Sequence, residues 1–258
     1  MTLRVAAQAA PLVCLRGIGK AYDNGVAALD HFDLDLREGE LLTLLGPSGC
    51  GKSTALRLIA GLTEPSRGRI DWRGAQAARA GFVFQEPTLL PWADVFANVY
   101  LPLRLEGVAR ETAAPRVREA LARVGLADFE SALPRQLSGG MKMRAAIARA
   151  LVTRPSLLLM DEPFAALDEV TRFRLNDDLL ALKRETGTTI VFVTHSVYES
   201  VYLSTRILAL AARGGAIIDE IEIDADIARD EEFRASAQFA QLCRRASAAL
   251  RSASGERL

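Results

Sequence analysis

Residues 40–54 run Glu40-Leu-Leu-Thr-Leu-Leu45-Gly46-Pro47-Ser48-Gly49-Cys50-Gly51-Lys52-Ser53-Thr54. The apolar run up to Leu45 suits a strand covered on both faces. After the loop, Ser53–Gly61 carries Leu56, Leu58 and Ile59 at helical spacing. The residues between fit G-x-x-x-x-G-K-[ST], a pattern that needs this strand-before, helix-after setting. Its glycines let backbone N–H groups converge on phosphate oxygens without a Cβ in the way. The helix that follows turns the positive end of its dipole toward the same anion. Lys52 supplies a charge for the β- and γ-phosphates, and Ser53 offers a hydroxyl to Mg2+. A glycine-rich turn with an incidental lysine is the bland alternative. Kinases, GTPases, helicases and transport motors share such a loop, so it does not name the activity. Cys50 lies inside it and is expected to be reachable by a thiol reagent when the site is empty.

Working outward, Ala80–Phe84, Ser156–Met160 and Thr188–Val193 are further buried-strand patterns, with helical spacing at Val117–Val124, Met141–Thr153 and Glu169–Glu185. That alternation predicts an α/β fold around a parallel sheet. Leu12–Tyr22 and Val26–Leu36 alternate instead, Leu34 and Leu36 against Asp33 and Asp35, which predicts an antiparallel β-layer at the N-terminal side. Residues 86–136 carry no convincing strand and are expected to form a helical insert. The tail from Asp226 is polar and Ala-rich with helical spacing, so the expected division is 12–225 for the catalytic unit and 226–258 for a helical tail.

Leu157-Leu-Leu-Met160-Asp161-Glu162 is a hydrophobic strand ending in two acids. A buried strand carries charge only at high cost, so the pair belongs at the C-terminal mouth of the sheet, where such folds bind ligands. Asp161 there suits Mg2+, directly or through water. Glu162 suits orienting or deprotonating an attacking water. An acid pair at a helix start also suits simple N-terminal capping. Leu137-Ser138-Gly139-Gly140-Met141 forms a second anion-type turn, with a capping serine and two glycines before a helix rich in Ala and Arg. Alone it also fits an ordinary capped turn.

Taken together in this order and spacing, the motifs resemble the ATP-binding subunit of ABC transporters over about Leu12 to Ala211. Gly46–Ser53 resembles that family's Walker A motif, Leu157–Asp161 its Walker B strand and Glu162 its catalytic glutamate. Leu137–Met141 resembles the LSGGQ signature with Met in place of Gln. Gln85 sits where the family has a glutamine that touches Mg2+ and water. Ala166-Leu167-Asp168 resembles the D-loop, His195 the switch histidine at the γ-phosphate, and Tyr22 the aromatic that stacks on adenine. The resemblance implies ATP and Mg2+ as cofactors. Gly46, Pro47, Ser48, Gly49, Cys50, Gly51, Lys52, Ser53, Thr54, Ser138, Gly139, Gly140 and Asp168 would contact the nucleotide. It also implies a homodimer, each Walker A facing the partner's signature, beneath integral membrane permease subunits at the cytoplasmic face of the inner membrane. His195 also suits a satisfied core histidine, Tyr22 a β-propensity residue and Gln85 a turn polar group. The chain departs from the family at Met143, where Gln is common, and at Ser196 and Tyr198, where acids are common.

Gln85-Glu-Pro-Thr-Leu-Leu-Pro-Trp92 and Asn98–Leu103 are similar to importers of nitrate, sulfonates and taurine, which implies a periplasmic substrate-binding protein as well. Leu89–Trp92 could dock a permease helix or pack the insert. An exporter or lipid-trafficking cassette, and a non-transport ABC ATPase, are the alternatives; the second expects two cassettes or a long coiled coil.

Composition narrows the field from the other side. The 258 residues carry 32 basic and 32 acidic side chains, without the basic excess of a free nucleic-acid binder. No apolar run reaches membrane-spanning length. The opening residues lack the features of a secretory signal and are expected to be a loose tail. Three scattered cysteines and two histidines suit neither a disulfide framework nor a His-rich metal site, and point to a reducing compartment.

Overall fold

The computed structural model describes residues 11–23, 25–73 and 80–254. The opening segment expected to be loose lies outside the described residues as far as position 10. Two sheets divide the strands. In one, β1 (Val13–Ala21) lies between β2 (Ala27–Leu36) and β4 (Arg67–Trp72), with both pairings antiparallel. The other runs β5 (Ala80–Val83), β6 (Leu157–Asp161), β7 (Thr189–Thr194), β3 (Leu41–Leu45), β8 (Arg206–Leu210) and β9 (Ile217–Glu222). Its first five strands are parallel and β9 closes the edge antiparallel.

Every residue of β3, β6 and β7 is buried, as continuous apolar runs require, and the period of two sorts them onto opposite faces. Leu42, Leu44, Leu157, Leu159, Val191 and Val193 face a core shared with β1, β2 and α1 (Lys52–Ile59). Leu41, Leu45, Leu158, Met160, Ile190 and Phe192 face the other core. That second core is built by α2 (Val95–Leu105), α3 (Arg110–Arg123), α4 (Gly139–Leu151), α5 (Glu169–Thr186) and α6 (Val197–Leu203), with α7 (Glu231–Ala235) and α8 (Ala237–Ser254). Full burial of one such aliphatic side chain is worth about 1.5–3 kcal/mol, so the sheet is sealed from both sides.

The strand pattern extends beyond the sequence expectation. β4 adds a third strand to the antiparallel layer, and β8 and β9 widen the main sheet. Met143 is 2% exposed and belongs to the helical core. Phe233 and Phe239 pack edge to face at 5.2 Å, Tyr202 lies 6.5 Å from Phe233 and Tyr198 lies 6.0 Å from Phe239. These rings fasten α7 and α8 to α6.

Candidate nucleotide site

Four adjacent parallel strands, in the order β5-β6-β7-β3, end at one edge of the main sheet. The loop after β3 supplies Lys52 and Ser53, β6 ends in Asp161 and Glu162, and β7 leads into His195. Gln85 leaves β5 two residues past Val83, whose register partner is Met160, so it emerges at the same edge. Gln85 is exposed there.

The phosphate loop is closed on itself. Lys52 is 4% exposed; its Nζ donates to the carbonyls of Gly46 at 2.7 Å and Pro47 at 2.8 Å, and Glu162 Oε1 stands 4.0 Å away. Gly51 has φ 105°, and a Cβ there would meet the Ala28 carbonyl oxygen at 2.4 Å, so no side chain fits. Cys50 is 1% exposed, with Sγ 3.8 Å from Lys52 Nζ. Burial pushes its thiol up, against the opposing pull of Lys52. The loop therefore hides the cysteine that its position in the motif suggested was open.

Ser53 Oγ donates to Asp161 Oδ1 at 2.7 Å. Asp161 is 8% exposed; burial raises its pKa, with Ser53's hydrogen bond opposing and Glu162's charge adding to the rise. A hydroxyl and an under-compensated buried carboxylate are hard oxygen donors, so this pair fits Mg2+.

Glu162 has φ 46°, a left-handed conformation uncommon for a residue other than glycine, and costing on the order of 1–3 kcal/mol. Its N–H donates to the Val193 carbonyl at 3.0 Å. The kink aims Oε2 at His195 Nδ1, 3.3 Å away, while Oε1 faces Lys52. A carboxylate, an imidazole and an ammonium thus converge on one mouth. Tyr22 is 38% exposed, its hydroxyl 3.3 Å from Thr54 Oγ1 on α1, so it stands beside the same loop.

The second anion-type turn is formed but separate. Ser138 caps α4, its Oγ accepting from Met141 N–H at 3.2 Å, and shares no hydrogen bond with the phosphate loop. A Cβ at Gly140 would meet Thr171 Cγ2 at 2.6 Å, and one at Gly139 would meet Leu167 Cδ2 at 3.3 Å. Asp168 caps α5 by accepting from Thr171 N–H at 2.9 Å, and these backbone hydrogen bonds lower its pKa. Three residues not singled out from the sequence join the site's surroundings. Thr194 Oγ1 donates to Glu199 Oε2 at 2.5 Å, and Arg172 Nε lies 3.6 Å from Glu199 Oε1.

With this arrangement in place, comparison with known proteins is decisive. Residues 29–165 match the family described as ABC transporter. The chain belongs to the ABC transporter family, as an ATP-binding subunit. Such ABC proteins are ATPases coupled to transport. The chain is 44% identical to an aliphatic sulfonates import ATP-binding protein, SsuB 1, of Xanthomonas axonopodis pv. citri, over 81% of this chain and 85% of that one. It is 42% identical to the taurine import ATP-binding protein TauB of Rhizobium johnstonii, over 86% of this chain and 88% of that protein. A dimeric ATP-binding cassette in a post-hydrolysis state, bound to ADP and Pi, superposes with a TM-score of 0.72 at 33% identity, over 83% of this ABC chain and 99% of the other.

Proposed function

We propose that this ABC subunit powers an importer of a small anion such as nitrate, a sulfonate or taurine, working as a homodimer beneath a membrane permease. The convergence of Lys52, Glu162 and His195 on one mouth carries the ATP-hydrolysing part of this reading. Lys52 would exchange its contacts with the Gly46 and Pro47 carbonyls for the β- and γ-phosphates. Glu162 would take a proton from the attacking water, with His195 holding its carboxylate in line and meeting the γ-phosphate. Ser53 and Asp161, with Gln85 beside them, would hold Mg2+, which supplies charge neutralisation for the leaving phosphate when bound. Tyr22 would cover the adenine.

The partner's Ser138, Gly139 and Gly140 would complete the γ-phosphate site, with Asp168 nearby; the dimeric structural relative supports that arrangement. Residues 12–225 would form the motor and 226–258 its tail. The names of the relatives support import, and a periplasmic binding protein would deliver the cargo. No described helix is long and apolar enough to cross a membrane; a place at the cytoplasmic face would follow from the permease-driving role proposed here.

Docking has its own support. Trp92 is 77% exposed, so it does not pack the helical layer. Buried Asn98 arranges the loop behind it, accepting from Leu90 N–H at 2.7 Å and donating to the carbonyls of Leu90, Ala93 and Asp94. A groove of about 870 Å³ begins at Thr88 on the same segment and has a mixed lining, Phe84, Leu101 and Leu105 alongside Arg116, Arg149 and Arg154.

The test is a pair of variants. Lys52→Ala should weaken ATP binding. Glu162→Gln should bind ATP but turn over about 10²–10⁴ times more slowly, the range for a lost general base. Near-normal turnover in Glu162→Gln would remove it as the base. Co-purification of the permease, with a ligand screen on the associated binding protein, identifies the cargo.

A further inference from the structure

Glu199 is 5% exposed, yet it is a carboxylate in the first turns of α6, directly behind the His195 turn. It holds that turn from inside. Thr194 Oγ1 donates to its Oε2 at 2.5 Å, the same Oγ1 accepts from Ser196 N–H at 3.0 Å, and Glu199 N–H donates to Ser196 Oγ at 3.3 Å. Thr194 and Ser196 flank His195; the Glu199 carboxylate holds Thr194, and Thr194 Oγ1 in turn holds the Ser196 N–H.

The other carboxylate oxygen points elsewhere. Oε1 lies 3.6 Å from Arg172 Nε. Both atoms are buried and neither has a hydrogen-bond partner. In a protein interior such atoms are costly to leave unpaired, and here the two face each other just beyond bonding distance. Arg172 also donates from Nη2 to the Leu167 carbonyl at 2.9 Å. Leu167, in turn, is the side chain that a Cβ on Gly139 would touch. Contacts thus run from the histidine turn, through Glu199 and Arg172, to the Leu167 backbone, whose side chain lies alongside Gly139 of the same chain.

We propose that Glu199 and Arg172 are a positioning pair that couples the His195 turn to the Leu167–Gly139 contact. Resting on the function proposed above, this coupling links two ATP sites. His195 serves the site built on its own Lys52, and Gly139 serves the partner's. The gap of 3.6 Å leaves room for the pair to tighten when the turn shifts. Its buried charge is held at a cost, since desolvation raises the Glu199 pKa against the pull of the Thr194 hydrogen bond and of Arg172. A residue kept only for packing needs no such charge.

The experiment has two readouts. The first needs no nucleotide: amide hydrogen exchange of the full chain, wild type against Glu199→Gln. The amide keeps an acceptor for Thr194 but loses the charge facing Arg172. Exchange in residues 164–168, on the far side of Arg172, should quicken about tenfold, the scale of coupling between neighbours in one charged network. Quickening confined to residues 194–199 would overturn the coupling.

The second readout is steady-state ATPase with the permease. Glu199→Gln and Arg172→Gln should each lower kcat about tenfold with KM within about twofold, and the double variant should be no worse than either alone. Arg172→Lys, which keeps the charge, should recover most of the rate. A double variant that loses the product of the two single factors sinks the pairing. Absence of ATPase in the wild type would sink the function reading instead, leaving the exchange result to decide the coupling.

Discussion

At the scale of single residues, the loop at 46–54 separates what a motif states from what a fold adds. Its lysine, hydroxyl and glycines were legible because the phosphate chemistry prescribes residue types at fixed spacing. The orientation of Glu162 was not, since its φ of 46° follows from how β6 leaves the sheet, and no propensity announces a strained glutamate. The concealment of Cys50 was also invisible, because its sulfur folds back against Gly46, where an added Cβ would meet it at 2.7 Å, a contact made by the loop's path and not by residue type. The cysteine therefore yields a prediction. Thiolate is the reacting species, and burial pushes both the Cys50 and the Cys14 thiols up, so access decides between them: Cys50 is 1% exposed, whereas Cys14 is partly exposed. In the nucleotide-free chain a maleimide should modify Cys14 faster than Cys50, because only the exposed thiol meets the reagent without the loop opening. Peptide mapping after timed quenching reads the two rates. Equal rates would mean the loop opens freely.

At the scale of elements, the strands the sequence concealed share a physical reason. β4, Arg67–Trp72, is a mostly exposed edge strand whose charges mask its alternation. β8 is a short strand separated from α6 by Ser204 and Thr205 alone, without the Gly or Pro that marks a boundary in sequence. β9 mixes Ile with acids on its open face. Long buried strands and the α4 and α5 periodicities had no such interference. The packing of α4 on α5 gives a test. Gly140→Ala forces a methyl to within 2.6 Å of Thr171 Cγ2, whereas Gly139→Ala finds 3.3 Å to the end of a leucine. Overpacking of the first kind costs about 1–3 kcal/mol, so urea denaturation should show Gly140→Ala clearly less stable and Gly139→Ala close to wild type. The Leu89–Trp92 loop gives another. Trp92 is exposed, so Trp92→Ala should leave the free energy of unfolding in urea within about 0.5 kcal/mol of wild type and ATP affinity unchanged. Its association with the permease should weaken on the order of 30-fold, as loss of an aromatic anchor does. Unfolding of the variant would assign the tryptophan to packing.

At the scale of the whole molecule, the two anion-type turns are built by one chain yet share no hydrogen bond. A helix N-terminus acts on an anion only within about a turn, so the Ser138 turn helps a phosphate only where something brings it close. Mixing a Lys52→Ala chain with a Ser138→Arg chain distinguishes the two geometries. Sites shared between chains leave one intact site and about half the activity, if one site suffices; sites within a chain leave none. Pairing the double variant with wild type reverses the forecast. If that control outperforms the mixed single variants, the shared site falls. Measured on isolated heterodimers with the permease, the comparison depends on connectivity and not on the strength of any contact.

Arg149 gives α4 a mechanical character. Its guanidinium reaches from the last turn of the helix to the carbonyls of Pro87 and Thr88 and the hydroxyl of Thr88, at 2.8–2.9 Å. Burial lowers its pKa with no carboxylate opposing, so the three oxygens alone compensate the charge. Ser138 sits at the other end of the same helix, and at about 1.5 Å of rise per residue the two grips are on the order of 16 Å apart. A helix of that length barely bends, so it behaves as a lever arm. A displacement of Pro87 and Thr88 would therefore be carried along α4 to Ser138 at its other end.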